Sequence, residues 1–186
     1  LLASDYGVPQ IRKRVIIMGV RKDIATKEAM DLYNGVVKTH WNPETDLVER
    51  KGLKKFVSVK DAIGDLPSVE PGEDASTNSY DYPCNNAFLK RIGKAGIHPL
   101  MDHIARKHNA LDRERFAIMI NNHWSFGQLR KEMPQYEHEH ARVFDNSYVV
   151  QWWDLPSKTI LAHIHKDGFQ FIHPDGNQTR SFTVRE

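Results

Sequence analysis

The spacing of apolar positions changes several times along the chain. Residues 14–20 read RVIIMGV, a β-branched apolar run that predicts a buried strand. Gly7-Val8-Pro9, just before it, predicts a turn held by the proline. Residues 23–34 have moderate helical spacing, and residues 35–60 carry a weak strand signal among many charges. In SVKDAIGDLP, Ser58 suits an N-cap, Ala62 and Ile63 fall inside a short helix, and Gly64 and Pro67 stop it. Residues 70–86, rich in Pro, Gly, Asp, Ser and Asn, predict an exposed loop and an internal boundary. Leu100, Ile104, Leu111, Phe116 and Ile120 look helical in pieces, interrupted near His108-Asn109. From Arg142 the pattern turns to short strands, with hairpin turns expected at Asp167-Gly168 and Asp175-Gly176. The order predicts α/β at the start and an α+β, β-rich end.

At 186 residues the chain is one domain, or one and a piece, and is long enough to bury a core without staples. Lys and Arg number 26 against 24 Asp and Glu, so the net charge of +2 does not by itself point to nucleic acid, and the placement of charge matters more. A single cysteine excludes an internal disulfide and fits a reducing cytoplasm. No apolar run approaches the roughly 18 residues of a membrane span, and no signal-peptide pattern appears.

Placement of charge directs attention to the first residues. On a strand, Gln10, Arg12 and Arg14 point the same way. A guanidinium holds several donors in a fixed fork that suits a phosphate or a carbonyl oxygen, so this face could anchor something anionic or carbonyl-rich. A solvated strand end is the plainer alternative.

Longer stretches add to this. GVPQIRKRVIIMGVR resembles the eighth motif of the DNA cytosine-5 methyltransferases, a Gln-x-Arg-x-Arg at the head of a strand after Gly-Val-Pro. SVKDAIGDLP resembles the segment that follows it in many members, and HIARKHNALDRERF resembles a stretch of one bacterial subgroup. WDLPSKTILAHIHKDGFQFIHPDGNQTRSFTVRE resembles the end of the target-recognition region running into the ninth motif, here Arg180, Thr183, Arg185 and Glu186. The four stand in the family's order and cover most of the chain.

The resemblance implies a division into residues 1–69, the last strands of a methyltransferase catalytic sheet and a connection; 70–98, a linker; and 99–186, a target-recognition domain. It implies a bacterial, cytoplasmic, nucleoid-associated enzyme of restriction-modification type that methylates cytosine C5 with S-adenosylmethionine. The family's Gly-rich cofactor loop, Pro-Cys nucleophile and Glu-Asn-Val motif precede Gln-x-Arg-x-Arg and are not found in these residues. A fragment that does not bind the cofactor and is inactive alone is therefore expected. Double-stranded DNA is the expected partner. In the alternative reading the chain is a stand-alone DNA-binding module or a split-enzyme subunit that meets its catalytic half in trans.

In the family's chemistry a cysteine thiolate adds to C6 of a flipped cytosine, and donors near N3 and O2 stabilise the developing negative charge. Carried over by motif, Arg14 contacts the O2 edge, Arg12 holds the active-site loop or a phosphate, and Gln10 supports both. Thr159-Ile160 matches the family's Thr-Leu-type dipeptide ahead of a base-reading loop, here AHIHKDG with His163, His165 and Lys166. Lys and His can donate to guanine O6 and N7, and Arg142 and Gln151 are further DNA-contact candidates, with Arg180 and Arg185 of the ninth motif.

Other signals read more plainly. Cys84, in DYPCNN, follows the Arg-x-Arg motif and has no basic neighbour to activate it, so it is read as an incidental or structural thiol. His138-x-His140 and His163-x-His165 lack a completing ligand, and no metal is expected. At least one of Trp152 and Trp153 is expected in the core. Lys90, Arg91, Lys94, Arg106 and Lys107 form either a phosphate-tracking patch or a solvated face.

Overall fold

The computed structural model describes residues 1–26, 35–42, 52–137, 148–161 and 168–186. The described residues are mixed helix and strand, with three two-stranded sheets. Strand β1 (Gln10–Ile11) pairs in parallel with β6 (Ser157–Lys158), so the chain's first strand is closed by one from far along the sequence. Strands β2 (His40–Trp41) and β3 (Lys54–Lys55) are also parallel. Strands β4 (Thr77–Tyr82) and β5 (Gly96–Leu100) are antiparallel, with a shift of register between Thr77 and Tyr80.

Helix α1 (Val59–Ile63) starts where the sequence predicts. The Ser58 hydroxyl accepts from the Asp61 amide, Asp61 answers by accepting from the Ser58 amide, and the chain leaves at Gly64. Helix α2 (Ala87–Arg91) is capped by Asn86. Helix α3 (Ala110–Asn122) begins at the expected interruption, because Asn109 caps it through the Asp112 amide. Helix α4 (Phe126–Glu132) follows a second capping box, Ser125 with Gln128.

Three apolar clusters hold these elements. Phe116, Met119 and Ile120 of α3 pack with Phe126 and Leu129 of α4 and with Tyr148, Val150 and Ile172. Val59 and Ile63 of α1 pack with Phe171 and Phe182. Tyr82, Leu89 and Leu100 form the third, and Leu66 touches the second and the third. Inside the first lies a buried polar triad, in which Asp112 accepts from Arg115 at 2.9 Å and from the Tyr148 hydroxyl at 2.8 Å. Burial and the adjoining carboxylate push the Tyr148 phenol up, so it stays a donor.

Several expectations are corrected. Residues 14–20 are neither strand nor buried: Val15 is 88% and Ile17 92% exposed. A strand needs a ladder partner, and among the described residues this run has none, the nearest bridge being that of Lys13 to Leu2 just before it. The loop expected over 70–86 contains β4. Its Tyr80 and Tyr82, two apart on one face, pack edge to face at 4.8 Å, with Tyr82 buried. Residues 99–109 are not helical, since Leu100 ends β5 and the helix waits for its cap at Asn109. The β-rich end reduces, among the described residues, to β6, isolated bridges and a 3₁₀ turn, Gly168–Phe171. Buried side-chain and backbone hydrogen bonds there replace a continuous ladder. The turn at Asp175-Gly176 is present, with His173 and Phe182 amides donating to the Arg180 and Phe171 carbonyls. Most of the helix expected over 23–34, and Asp167 of the other turn, lie outside the described residues.

Candidate nucleic-acid interface

The β1–β6 pair joins two motifs that are 148 residues apart. Beyond the ladder, Arg12 Nη1 donates to the Ile160 carbonyl at 3.2 Å, and Thr159 Oγ1 donates to the Ile11 carbonyl at 2.5 Å. Each motif thus holds the other's backbone. Gln10 pairs with Ser157 and lines a cavity of about 100 Å³ with Val59, Ile160 and Phe182. Arg14 follows in an exposed position, its amide bonded to the Leu1 carbonyl and its guanidinium to the Lys13 carbonyl at 2.6 Å. Upstream, Gly7 turns the chain in the left-handed region (φ 80°), and Arg91 donates to its carbonyl from where a Cβ would stand.

Gln151 is buried. Its Oε1 accepts from the Lys158 amide at 2.8 Å and the Ser157 hydroxyl at 3.3 Å, and its Nε2 donates to the Gln170 carbonyl at 2.8 Å. Its amide is engaged inside the protein rather than offered to a base edge.

The ninth-motif residues form a buried knot. All five donors of Arg180 are taken: Glu186 receives two, at 2.6 and 2.8 Å, and Gln178 Oε1 and the Val69 and Ser181 carbonyls receive the rest. Both side chains of the pair are essentially without solvent. Thr183 meets His103 Nδ1 at 3.1 Å, while His103 Nε2 reaches the Pro67 carbonyl. Burial pushes His173 down to about 4 despite Glu186 alongside, and pushes His108, bonded to Ser181, down to about 4. Arg180 therefore presents no donor outward in this conformation. Arg185 is half-buried over the Tyr82 ring and donates to its hydroxyl at 2.9 Å. Arg142, His163, His165 and Lys166, like His138 and His140, lie outside the described residues.

Residues 1–186 match the family described as C-5 cytosine-specific DNA methylase. The chain belongs to that family. It is 31% identical over 196 residues to the type II methyltransferase M.Bpa9945I of Bacillus paralicheniformis, covering 98% of this chain and 40% of that protein. It is 28% identical to the type II methyltransferase M.DdeI of Desulfomicrobium norvegicum, over 100% of this chain and 41% of that protein. Over 72 residues it is 50% identical to the type II methyltransferase M.BspRI of Lysinibacillus sphaericus. The chain spans about two-fifths of the length of the first two relatives.

The C-5 cytosine-specific DNA methylases use S-adenosylmethionine. One open groove, about 870 Å³, is lined by His40, Lys54, Lys55, Lys90 and Arg91 with one carboxylate, Asp61, and is positive on balance. Burial and the charges of Arg91 and Lys54 hold His40 below the usual imidazole range. A second groove, about 460 Å³, is aromatic, with Trp124, Phe126, Tyr148 and Trp152, and offers no carboxylate. Lys90 and Arg91 share the first groove, and Arg91 is already bonded to Gly7. Trp152 stacks on His123 at 4.8 Å, and Trp153 meets His173 edge-on at 5.2 Å, so each seals the rim of a core cluster. Cys84 is exposed. No group of three or more metal-ligating side chains occurs among the described residues, nor any helix long and apolar enough to cross a membrane.

Sequence reasoning missed Gln178, His103 and the Asp112–Arg115–Tyr148 triad. Asn109 followed three residues later by Asp112 was the one local signal available.

Proposed function

We propose that this chain is the DNA-recognition part of a DNA cytosine-5 methyltransferase, acting with a catalytic half on a cytosine turned out of duplex DNA. The observation that carries the reading is the mutual clamp of Arg12 to Ile160 and Thr159 to Ile11, which fixes the Arg-x-Arg segment against the dipeptide ahead of residues 162–168. A base contact made by that stretch and a donor at Arg14 would then be held in one frame, as base readout coupled to chemistry requires.

In this reading Arg14, exposed and with one donor given to Lys13, supplies the fork at the cytosine O2 edge. Arg12 and Gln10 keep the strand in place. His163, His165 and Lys166 read bases, with guanine the favoured target, and Arg142 adds a contact on the way in. Arg180 and Gln151 act from inside by holding backbone, and Arg185 approaches DNA only if it leaves Tyr82. The exposed apolar run Val15–Met18 supports packing against further protein, supplied by the same polypeptide or in trans.

Titration of the 186-residue chain tests this. Duplex DNA should bind with an affinity that falls steeply with salt, while S-adenosylmethionine should give no heat. Micromolar cofactor binding, or methyl transfer blocked by Cys84→Ser, would refute the reading.

A further inference from the structure

We infer that Gln151 is a positioning residue for base recognition: its buried amide fastens together the two ends of the stretch that the proposed function assigns to reading DNA. The inference rests on that assignment.

One side of the amide serves the chain entering the stretch, where Oε1 accepts from the Lys158 amide and the Ser157 hydroxyl. The other side serves the chain leaving it, where Nε2 donates to the Gln170 carbonyl. The backbone of Gln151 adds a third tie, its amide donating to the Ile172 carbonyl at 2.9 Å. Residues 158 and 170 therefore stand on opposite sides of a single planar group whose geometry is fixed by resonance. The group is 3% exposed, so water cannot replace either bond. Thr159 and Arg12 tie the entering end to β1, and the Gln151 side chain joins that end directly to the exit, alongside the backbone bonds of Val149 to Phe169 and Ile172.

The carboxamide suits this task because it is both donor and acceptor. Glutamate at this position keeps the acceptor for Lys158 but turns an oxygen toward the Gln170 carbonyl; methionine keeps the volume and loses both bonds. Without the side chain the entering and exit ends lose their direct register to one another, and contacts to a base edge, which need exact placement, weaken more than phosphate contacts, which tolerate displacement.

The test uses the complete methyltransferase that carries this chain, with Gln151→Met and Gln151→Glu. The readouts are methylation of cognate against near-cognate duplexes and binding to unrelated duplex DNA. Both variants should lower the cognate to near-cognate ratio, Gln151→Met by about tenfold, within the range of losing one base contact, with unrelated binding unchanged. In a background with His163, His165 and Lys166 changed to alanine, the same substitutions should lower it no further, because they act through those side chains. A general loss of structure would instead add its effect in that background. Should Gln151→Met not fold, Gln151→Glu decides alone. An intact ratio in both variants, or a further fall in the alanine background, overturns the inference. If the three alanines leave the ratio unchanged, the base-reading assignment falls and takes this inference with it. If they lower it while both Gln151 variants keep it, the inference alone falls.

Discussion

Glu186→Gln removes one charge from the buried pair with Arg180 and changes little else in shape. The pair's two bonds measure 2.6 and 2.8 Å, its side chains are 0% and 1% exposed, and the same carboxylate accepts from the Thr183 amide at 2.8 Å. Without the carboxylate, Arg180 remains a cation with no water and no counter-charge of comparable geometry. Breaking a buried pair in this one-sided way costs about 3–5 kcal/mol. A domain has about 5–15 kcal/mol of stability, and a chain of this length loses about 2–4 °C of melting temperature per kcal/mol. The midpoint should therefore fall by roughly 6–20 °C in thermal unfolding followed by circular dichroism at neutral pH. The double substitution Arg180→Met with Glu186→Leu should recover most of that loss, because an apolar pair of similar volume carries no desolvation cost. A midpoint for Glu186→Gln within about 2 °C of the native chain would refute the argument. A double variant as unstable as the single would place the cost in packing instead of charge.

Acid should weaken the fold before the carboxylates lose their charge. His173 titrates near 4 when folded and near 6.5 when unfolded, so the unfolded chain binds more protons between those values. Its contribution is complete above about pH 6.5, is lost as pH falls toward 4, and is worth at most about 3 kcal/mol. Urea unfolding at pH 7.5 and pH 5 should show the lower stability at pH 5; equal values would contradict the buried neutral imidazole. Ser58→Ala, which removes the hydroxyl that accepts from the Asp61 amide and leaves the backbone amide's own bond to the Asp61 carboxylate, should cost about 1 kcal/mol in the same assay, and no measurable change would mean that this hydroxyl does not hold the helix start.

What the sequence made legible was local chemistry that needs no distant partner. Ser58, with a helix period after it and Gly64 at the end, specifies α1 wherever it packs. Asp175 builds its own turn by accepting from the Asn177 amide at 3.0 Å. Strands are different, because their bonds come from elsewhere. RVIIMGV is rich in strand-favouring residues and has no ladder among the described residues, whereas the polar TNSYDY becomes a strand because β5 pairs with it. Burial of polar groups was the least legible. Arg180 and Gln151 look like surface residues suited to DNA, and only the folded chain supplies the carbonyls and carboxylate that occupy them. The association of the Arg-x-Arg and Thr-Ile motifs was not legible in the sequence either, because its physical basis is four residues of backbone and two side-chain bonds between segments 148 residues apart.

Single-turnover methyl transfer by the complete enzyme with Arg14→Ala and Arg14→Lys tests the central claim most directly. If Arg14 donates to the cytosine as negative charge develops, Arg14→Ala should slow transfer roughly a hundred- to a thousandfold, the effect of losing one such donor, with much less change in DNA affinity. Arg14→Lys should not restore the rate, since an ammonium cannot reproduce the planar fork. Unchanged single-turnover rates in both variants would contradict the account and leave Arg14 a solvated residue just beyond a short strand.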